Sequence, residues 1–252
     1  MVLAEAPIIM IVTERNLGEI VLAPKYRTTL DLIAQVSQRL IIPYAILGSI
    51  GTASASNTTL IIKDYSGPWQ IGNSDIDVFV IGTDQERKNF ITAVKSELLE
   101  DSPLVDFSTS HHQNVGFDSN GNPYLRYKKI QIPLSKGLFE PVMTLISNPQ
   151  IPVLFPQTYI DMIALCNNTI YPSRTAARIK LLEKACQQFP DLNEELLKPF
   201  NVFKTEVRKH YPFHYPIIDI RRQIATNPSL LPYVSKLKKL APGLIKMVRK
   251  FY

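Results

Sequence analysis

Tyr44-Ala-Ile-Leu-Gly-Ser-Ile-Gly51 and Asn73-Ser-Asp-Ile-Asp-Val-Phe-Val-Ile-Gly82 are the two stretches whose reading decides the fold. In the first, an apolar run ends in Gly48-Ser49. In the second, two aspartates one residue apart open another apolar run. Side chains alternate across a β-strand, so Asp75 and Asp77 share a face, roughly 6.5–7 Å apart along the chain. Carboxylates that close raise each other's proton affinity unless a cation sits between them. A hard divalent cation with oxygen ligands answers that need. Gly48 lets the backbone approach a ligand closely, and Ser49 places a hydroxyl and an N–H at an expected helix start, where phosphate binds. The chemistry these residues suggest is a metal-bound nucleoside triphosphate.

The chain between the two stretches and beyond them sets the frame. Ser54 to Gly72 reads as an insertion, with a strand at Thr58–Ile62 and a turn at Ser66-Gly67-Pro68. Trp69 within it is read as a packing anchor in preference to a base-stacking platform. Thr83-Asp-Gln-Glu86 is a capping box, so a helix starts there and runs through about Glu100, with Phe90, Ile91, Val94 and Leu98 as its stripe. Leu104–Ser108 is the next strand, and strand–helix–strand makes a crossover unit.

Upstream, Ile8–Val12 and Glu19–Leu22 read as a hairpin around Asn16-Leu17-Gly18. Thr28 or Thr29 is expected to cap a helix carrying Leu30, Ile33, Ala34 and Leu40. Downstream, Val115–Phe117 and one strand over Tyr124–Leu134 flank the turn signal Asn120-Gly121. From Pro133 onward the chain carries 13 of its 19 prolines, separating short apolar-periodic segments near 139–147, 157–168, 174–188, 192–209, 217–226, 229–240 and 242–251. Ser173 is the expected cap of the third of these. The fold class expected is α+β or α/β: a small mixed sheet over residues 1–136, then a helical domain over 137–252.

These motifs resemble the nucleotidyltransferase superfamily typified by DNA polymerase β, over about Leu32 to Phe107. The resemblance implies an apolar-Gly-Ser turn, an acid-apolar-acid strand and a third acid on a later strand. It implies transfer of a nucleoside monophosphate from Mg²⁺-NTP to an acceptor hydroxyl. Gly48 and Ser49 would then take the β/γ-phosphates, and Asp75 and Asp77 would hold Mg²⁺. Asp106, between Val105 and Phe107, is the preferred third acid and metal ligand. In a competing register, Tyr127–Leu134 is that third strand, and Gln131 or Pro133 occupies the acidic position. The alternative function is then a non-catalytic relative that binds nucleic acid or a partner. Arg126 and Lys128 alternate on one strand face, with Lys129 opposite, and are candidates for nucleotide contact or for a charged edge.

Composition bounds the rest. A hydrophobic share of 45% with 20% charged residues excludes a disordered chain. Two cysteines, Cys166 and Cys186, are too few for a disulfide framework and suggest a reducing, cytoplasmic setting. No apolar stretch approaches the ~20 residues of a membrane span. Residues 1–200 hold 17 Lys/Arg against 20 Asp/Glu, whereas residues 201–252 hold 11 against 2. A neutral-to-acidic body with a basic tail points to a polyanion, nucleic acid first and an acidic membrane surface second; an RNA end such as that of tRNA is the first-choice acceptor, with a protein hydroxyl or a small molecule as alternatives, and the interleaved Lys and Leu residues of Ser235–Tyr252 suit either RNA contact or a solvated amphipathic helix pair. Pro242-Gly243 argues against a membrane helix there. His111-His112 and His210/His214 are not read as a zinc site, because Pro212 breaks the second pair's helix and no cysteine lies close in sequence.

Overall fold

A computed structural model describes residues 20–56, 60–62, 75–107, 114–144, 151–165, 172–187, 189, 192 and 194–213. The architecture is mixed α and β: small sheets in the first part of the chain, helices dominating the second. Strand β1 (Ile20–Leu22) pairs in parallel with β3 (Leu60–Ile62). The proposed hairpin partner Ile8–Val12 lies outside the described residues, as does Trp69.

Helix α1 (Pro24–Leu40) starts a turn earlier than Thr28 or Thr29 would have it. Proline suits the first helical position, since its fixed φ is preorganised and its missing N–H has no partner there anyway. The Thr28 and Thr29 hydroxyls instead donate back to the Pro24 and Lys25 carbonyls. Tyr26, Leu30, Ile33 and Val36 form the buried stripe. The helix ends at Ile41 with φ 56°, and the chain turns directly into β2 (Tyr44–Ile46).

The sheet that carries the site has strand order β2–β4–β5, with β4 at Ile76–Val80 and β5 at Val105–Asp106. β2 is antiparallel to β4, pairing Tyr44 with Val80. β4 is parallel to β5, pairing Ile76 with Val105 and Asp77 with Asp106. The crossover between β4 and β5 is α3 (Asp84–Glu97), which packs on α1. Its capping box is formed as the sequence requires: the Thr83 hydroxyl accepts from Glu86 N–H and the Glu86 carboxylate from Thr83 N–H. Thr83→Ala is expected to cost about 1 kcal/mol in urea unfolding. A cost within error would mean that tertiary contacts alone hold the helix start.

A second sheet, β6–β7–β8, comprises Val115–Phe117, Pro123–Tyr127 and Ile130–Pro133. The first hairpin turns at Asn120-Gly121, where Gly121 has φ 70° and the Asp118 carboxylate accepts the N–H groups of Asn120 and Asn122. The single strand expected over Tyr124–Leu134 is instead two strands. They are joined at Lys128-Lys129, where Lys128 has φ 52°, so a two-residue hairpin turn breaks the face that Arg126 and Lys128 were expected to share.

Segment 139–147 also departs from its helical reading. A 3-10 turn (Lys136–Phe139) leads into β9 (Val142–Thr144), antiparallel to β10 (Ile151–Val153). Periodicity alone does not separate a short apolar strand from a helical turn, and Pro141 and Pro149 leave too short a run for a helix. Three helices follow: α4 (Pro156–Leu165), α5 (Pro172–Cys186) and α6 (Glu194–His210). Helix α5 begins one residue before its expected cap, Ser173. Segments 217–226, 229–240 and 242–251, with the basic tail, lie outside the described residues.

The core joins these parts. Phe79 of β4 packs on Phe117 and Phe139, whose rings also meet each other, so the two sheets share one aromatic cluster. Phe200, Phe203 and Val207 bury one face of α6, which lies against β8. Among the described residues no helix is long and apolar enough to cross a membrane.

Candidate metal centre

Asp75 precedes β4, and Asp77 is its second residue. The alternation of the strand puts both carboxylates on one face. The parallel register then brings Asp106 beside Asp77 from β5. Each of the three is half-buried, and they offer carboxylate oxygens that all lie within 4.8 Å of one another. By contrast, Gln131 and Pro133 sit on β8, which pairs with β7. The described geometry therefore brings Asp106, and not the β8 residues, to the Asp75/Asp77 pair.

Electrostatics mark Asp77 as the strained member. Burial, the Asp75 charge and, more weakly, Asp106 push its pKa up to about 7, against the opposing pull of Arg178. Three hard oxygen donors that repel one another in a partly dehydrated corner fit a divalent cation, which would remove the repulsion.

The turn after β2 closes over this corner. Leu47 N–H donates to the Asp77 carbonyl at 2.8 Å. Gly48 then starts helix α2 (Gly48–Ser56) with φ +64°. A Cβ on Gly48 would lie 1.8 Å from Asp77 Oδ2, so only glycine lets the helix start touch this carboxylate. Gly51 repeats the device one turn on, where a Cβ would lie 2.0 Å from the Ile46 carbonyl oxygen. Ser49 is exposed beside the site. The buried hydroxyls of Thr52 and Ser56 are satisfied within α2, donating to the carbonyls of Gly48 and Thr52.

Two residues with no sequence motif complete the corner. Gly48 N–H donates to the Tyr159 hydroxyl oxygen at 2.8 Å, and Arg178 Nη1 donates to the same oxygen at 3.4 Å. Tyr159 comes from α4 and Arg178 from α5, and α5 packs directly on α2. In sequence, Tyr159 looks like any core tyrosine of an apolar helix, and Arg178 like one of several basic residues on α5. Tyr159→Phe is expected to leave the Gly48 N–H without its partner and to lower stability by about 1–3 kcal/mol. Urea unfolding checks this; an unchanged midpoint would show that solvent replaces the hydroxyl.

The other candidates fall elsewhere. Lys128 is exposed in the β7–β8 turn, its ammonium 4.3 Å from the Tyr211 ring centroid and 5.6 Å from that of Tyr127. Arg126 is half-buried on β7, where its charge acts on Arg87. His210 faces Glu206 one turn back, and His111, His112 and His214 lie outside the described residues.

No family model matches the chain, and no curated protein matches it. One solved structure that does match is of an antigenic nucleotidyltransferase-like protein from Paracoccidioides brasiliensis. It aligns over 79% of this chain and 94% of that chain, at 12% identity and a TM-score of 0.36. A likeness this distant carries no argument.

Proposed function

We propose that this chain is a metal-dependent nucleotidyltransferase that moves a nucleoside monophosphate from an NTP to an acceptor hydroxyl. The observation that carries the reading is the convergence of Asp75, Asp77 and Asp106 at the start of α2, with Gly48 against Asp77. Asp75, Asp77 and Asp106 would hold Mg²⁺, which when bound supplies charge neutralisation for the triphosphate and for the attacking oxygen. Ser49, through its exposed hydroxyl and its N–H at the start of α2, would take the β/γ-phosphates, where the helix dipole favours negative charge; the Gly48 N–H is already held by Tyr159. Arg178, beside Tyr159, adds a positive charge on the same flank.

On the opposite flank, Asp106 would orient the acceptor hydroxyl and accept its proton as the oxygen attacks the α-phosphorus in line. The O–P bond to the acceptor forms, the bond to the β-phosphate bridge breaks, and pyrophosphate carries away the electron pair. Residues 1–136 would carry most of this chemistry, with Arg178 contributed from the second half, and residues 137–252 would otherwise position the acceptor. The basic balance of residues 201–252 favours an RNA end as that acceptor.

The test is incubation with each α-³²P-labelled NTP, Mg²⁺ and total RNA, beside Asp75→Asn/Asp77→Asn. Label entering RNA, lost in the double variant, is the expected result. Mg²⁺-dependent NTP binding without transfer would favour the non-catalytic relative. Neither transfer nor binding would overturn the proposal.

A further inference from the structure

The β7–β8 turn and the end of α6 come together on elements that carry none of the three aspartates. Lys128 and Lys129 make the turn. Helix α6 packs along β8 and β7 and closes in Arg208-Lys209-His210. Two ring contacts pin the turn to the chain just past the helix. The Tyr127 and Tyr211 rings meet edge to face with centroids 5.3 Å apart, and the Lys128 ammonium lies 4.3 Å from the Tyr211 centroid. Lys128 thereby holds the two pieces together. Its neighbour Lys129 and, across the junction, Lys209 are both exposed, and neither makes a hydrogen bond or an ion pair among the described residues. Phe213, two residues beyond Tyr211, is 69% exposed.

Charge and ring chemistry together define the partner. The chain has no acidic residue between Asp118 and Glu140, nor between Glu206 and Asp219, so both halves of the junction are acid-free in sequence. Such a local excess of positive charge attracts a polyanion. Lysines bind backbone phosphates without reading sequence, and an exposed ring beside them is a stacking face for an unpaired base. A duplex keeps its bases stacked inside and would leave Phe213 in water. An acidic peptide would engage the lysines but brings no base for the ring. A membrane-bound helix needs a broad apolar face, whereas Phe213 stands among lysines at a turn and a helix end.

We infer that Lys129, Lys209 and Phe213 form a docking surface for single-stranded RNA, the lysines on backbone phosphates and the ring on one base. Lys128, Tyr127 and Tyr211 are the scaffold that sets the lysines side by side. This deepens the transferase reading, on which it rests only for calling the RNA an acceptor.

The probe is a fluorescein-labelled 12-nucleotide single-stranded RNA, followed by anisotropy without NTP across a salt series, with a thermal melt to confirm that each variant folds. In Lys129→Gln/Lys209→Gln the slope of log K against log salt is expected to shrink by about 1.4, the value of two single-strand phosphate contacts. Lys129→Arg/Lys209→Arg should keep the slope. Phe213→Ala should lose roughly 5- to 10-fold in affinity with the slope unchanged, as the loss of one stacked base requires. Lys88→Gln/Lys95→Gln removes the same charge from exposed positions on α3 and should bind as wild type. An unchanged slope in the first variant, or unchanged affinity in Phe213→Ala, would overturn the inference. So would an equal loss in the α3 variant, equal binding of a 12-base-pair duplex RNA, or Phe213-dependent binding to phosphatidylserine vesicles in place of RNA. RNA binding that depends on Lys129, Lys209 and Phe213, with no nucleotide transfer, would support the surface and sink only the transferase reading.

Discussion

Gly48→Ala is expected to abolish divalent-metal binding and to lower stability by on the order of 2–4 kcal/mol, the range of a clash that the core cannot relax. Two effects add. Residue 48 sits at φ +64°, where a Cβ costs roughly 1–2 kcal/mol by its contact with the following carbonyl. That Cβ would also lie 1.8 Å from Asp77 Oδ2, so the carboxylate must leave the cluster or α2 must lift away from it. Gly121→Ala separates the two, because Gly121 has φ +70° with nothing within 4 Å of its would-be Cβ. It should lose only the conformational share, about 1 kcal/mol, and keep metal affinity. Urea unfolding and Mn²⁺ titration of the two variants decide the matter: equal losses would mean that Gly48 is needed for its backbone angle and not for its approach to Asp77.

Asp77→Asn is expected to stabilise the metal-free protein at pH 8 while destroying its response to metal. The folded pKa of Asp77 is pushed up to about 7, above the ordinary carboxylate value near 3.9 that the unfolded chain keeps. Between about pH 4 and pH 7 the native state therefore holds a proton that the unfolded state has released. Stability from this group falls as pH rises through that window, and the full cost, on the order of 2–4 kcal/mol, is present above pH 7. Asparagine keeps the shape and removes the charge. The difference in melting temperature between Asp77→Asn and wild type, measured in EDTA from pH 5 to pH 8, should grow with pH and flatten near pH 7–8. Mg²⁺ or Mn²⁺ should raise the wild-type melting temperature at pH 8 and leave the variant unmoved. Wild-type metal affinity should fall about tenfold per pH unit below pH 7, as protons compete for the same oxygens. A pH-independent difference between the two proteins would show that Asp77 is not the repelled member of the cluster.

The local devices were legible because the rules behind them act within a few residues. The Asp75/Asp77 pair follows from the two-residue period of a strand. The Thr83–Glu86 box and the Asn120-Gly121 turn follow from hydrogen bonds and φ angles inside four-residue windows. The turn at Lys128-Lys129 carries no such mark, because neither residue is the glycine or asparagine that usually signals a positive φ. Pro24 opened α1 ahead of the threonines because a first-turn proline needs no cap from a side chain.

By itself, then, the sequence determined which carboxylates share a face, where the Gly-Ser turn falls after its strand, and the mixed α and β character of the chain. Tertiary structure alone decided that Asp106 stands beside Asp77, since a parallel register across a helical crossover depends on how α3 packs and not on neighbouring residues. It also brought Tyr159 to Gly48 across 111 positions, and Arg87 to the carbonyl after Asp106 across 20. The physical reason is range. Dihedral preference and capping act over one turn of chain, whereas the meeting of distant polar groups is set by the burial of apolar faces, which fixes where they lie without itself prescribing their chemistry.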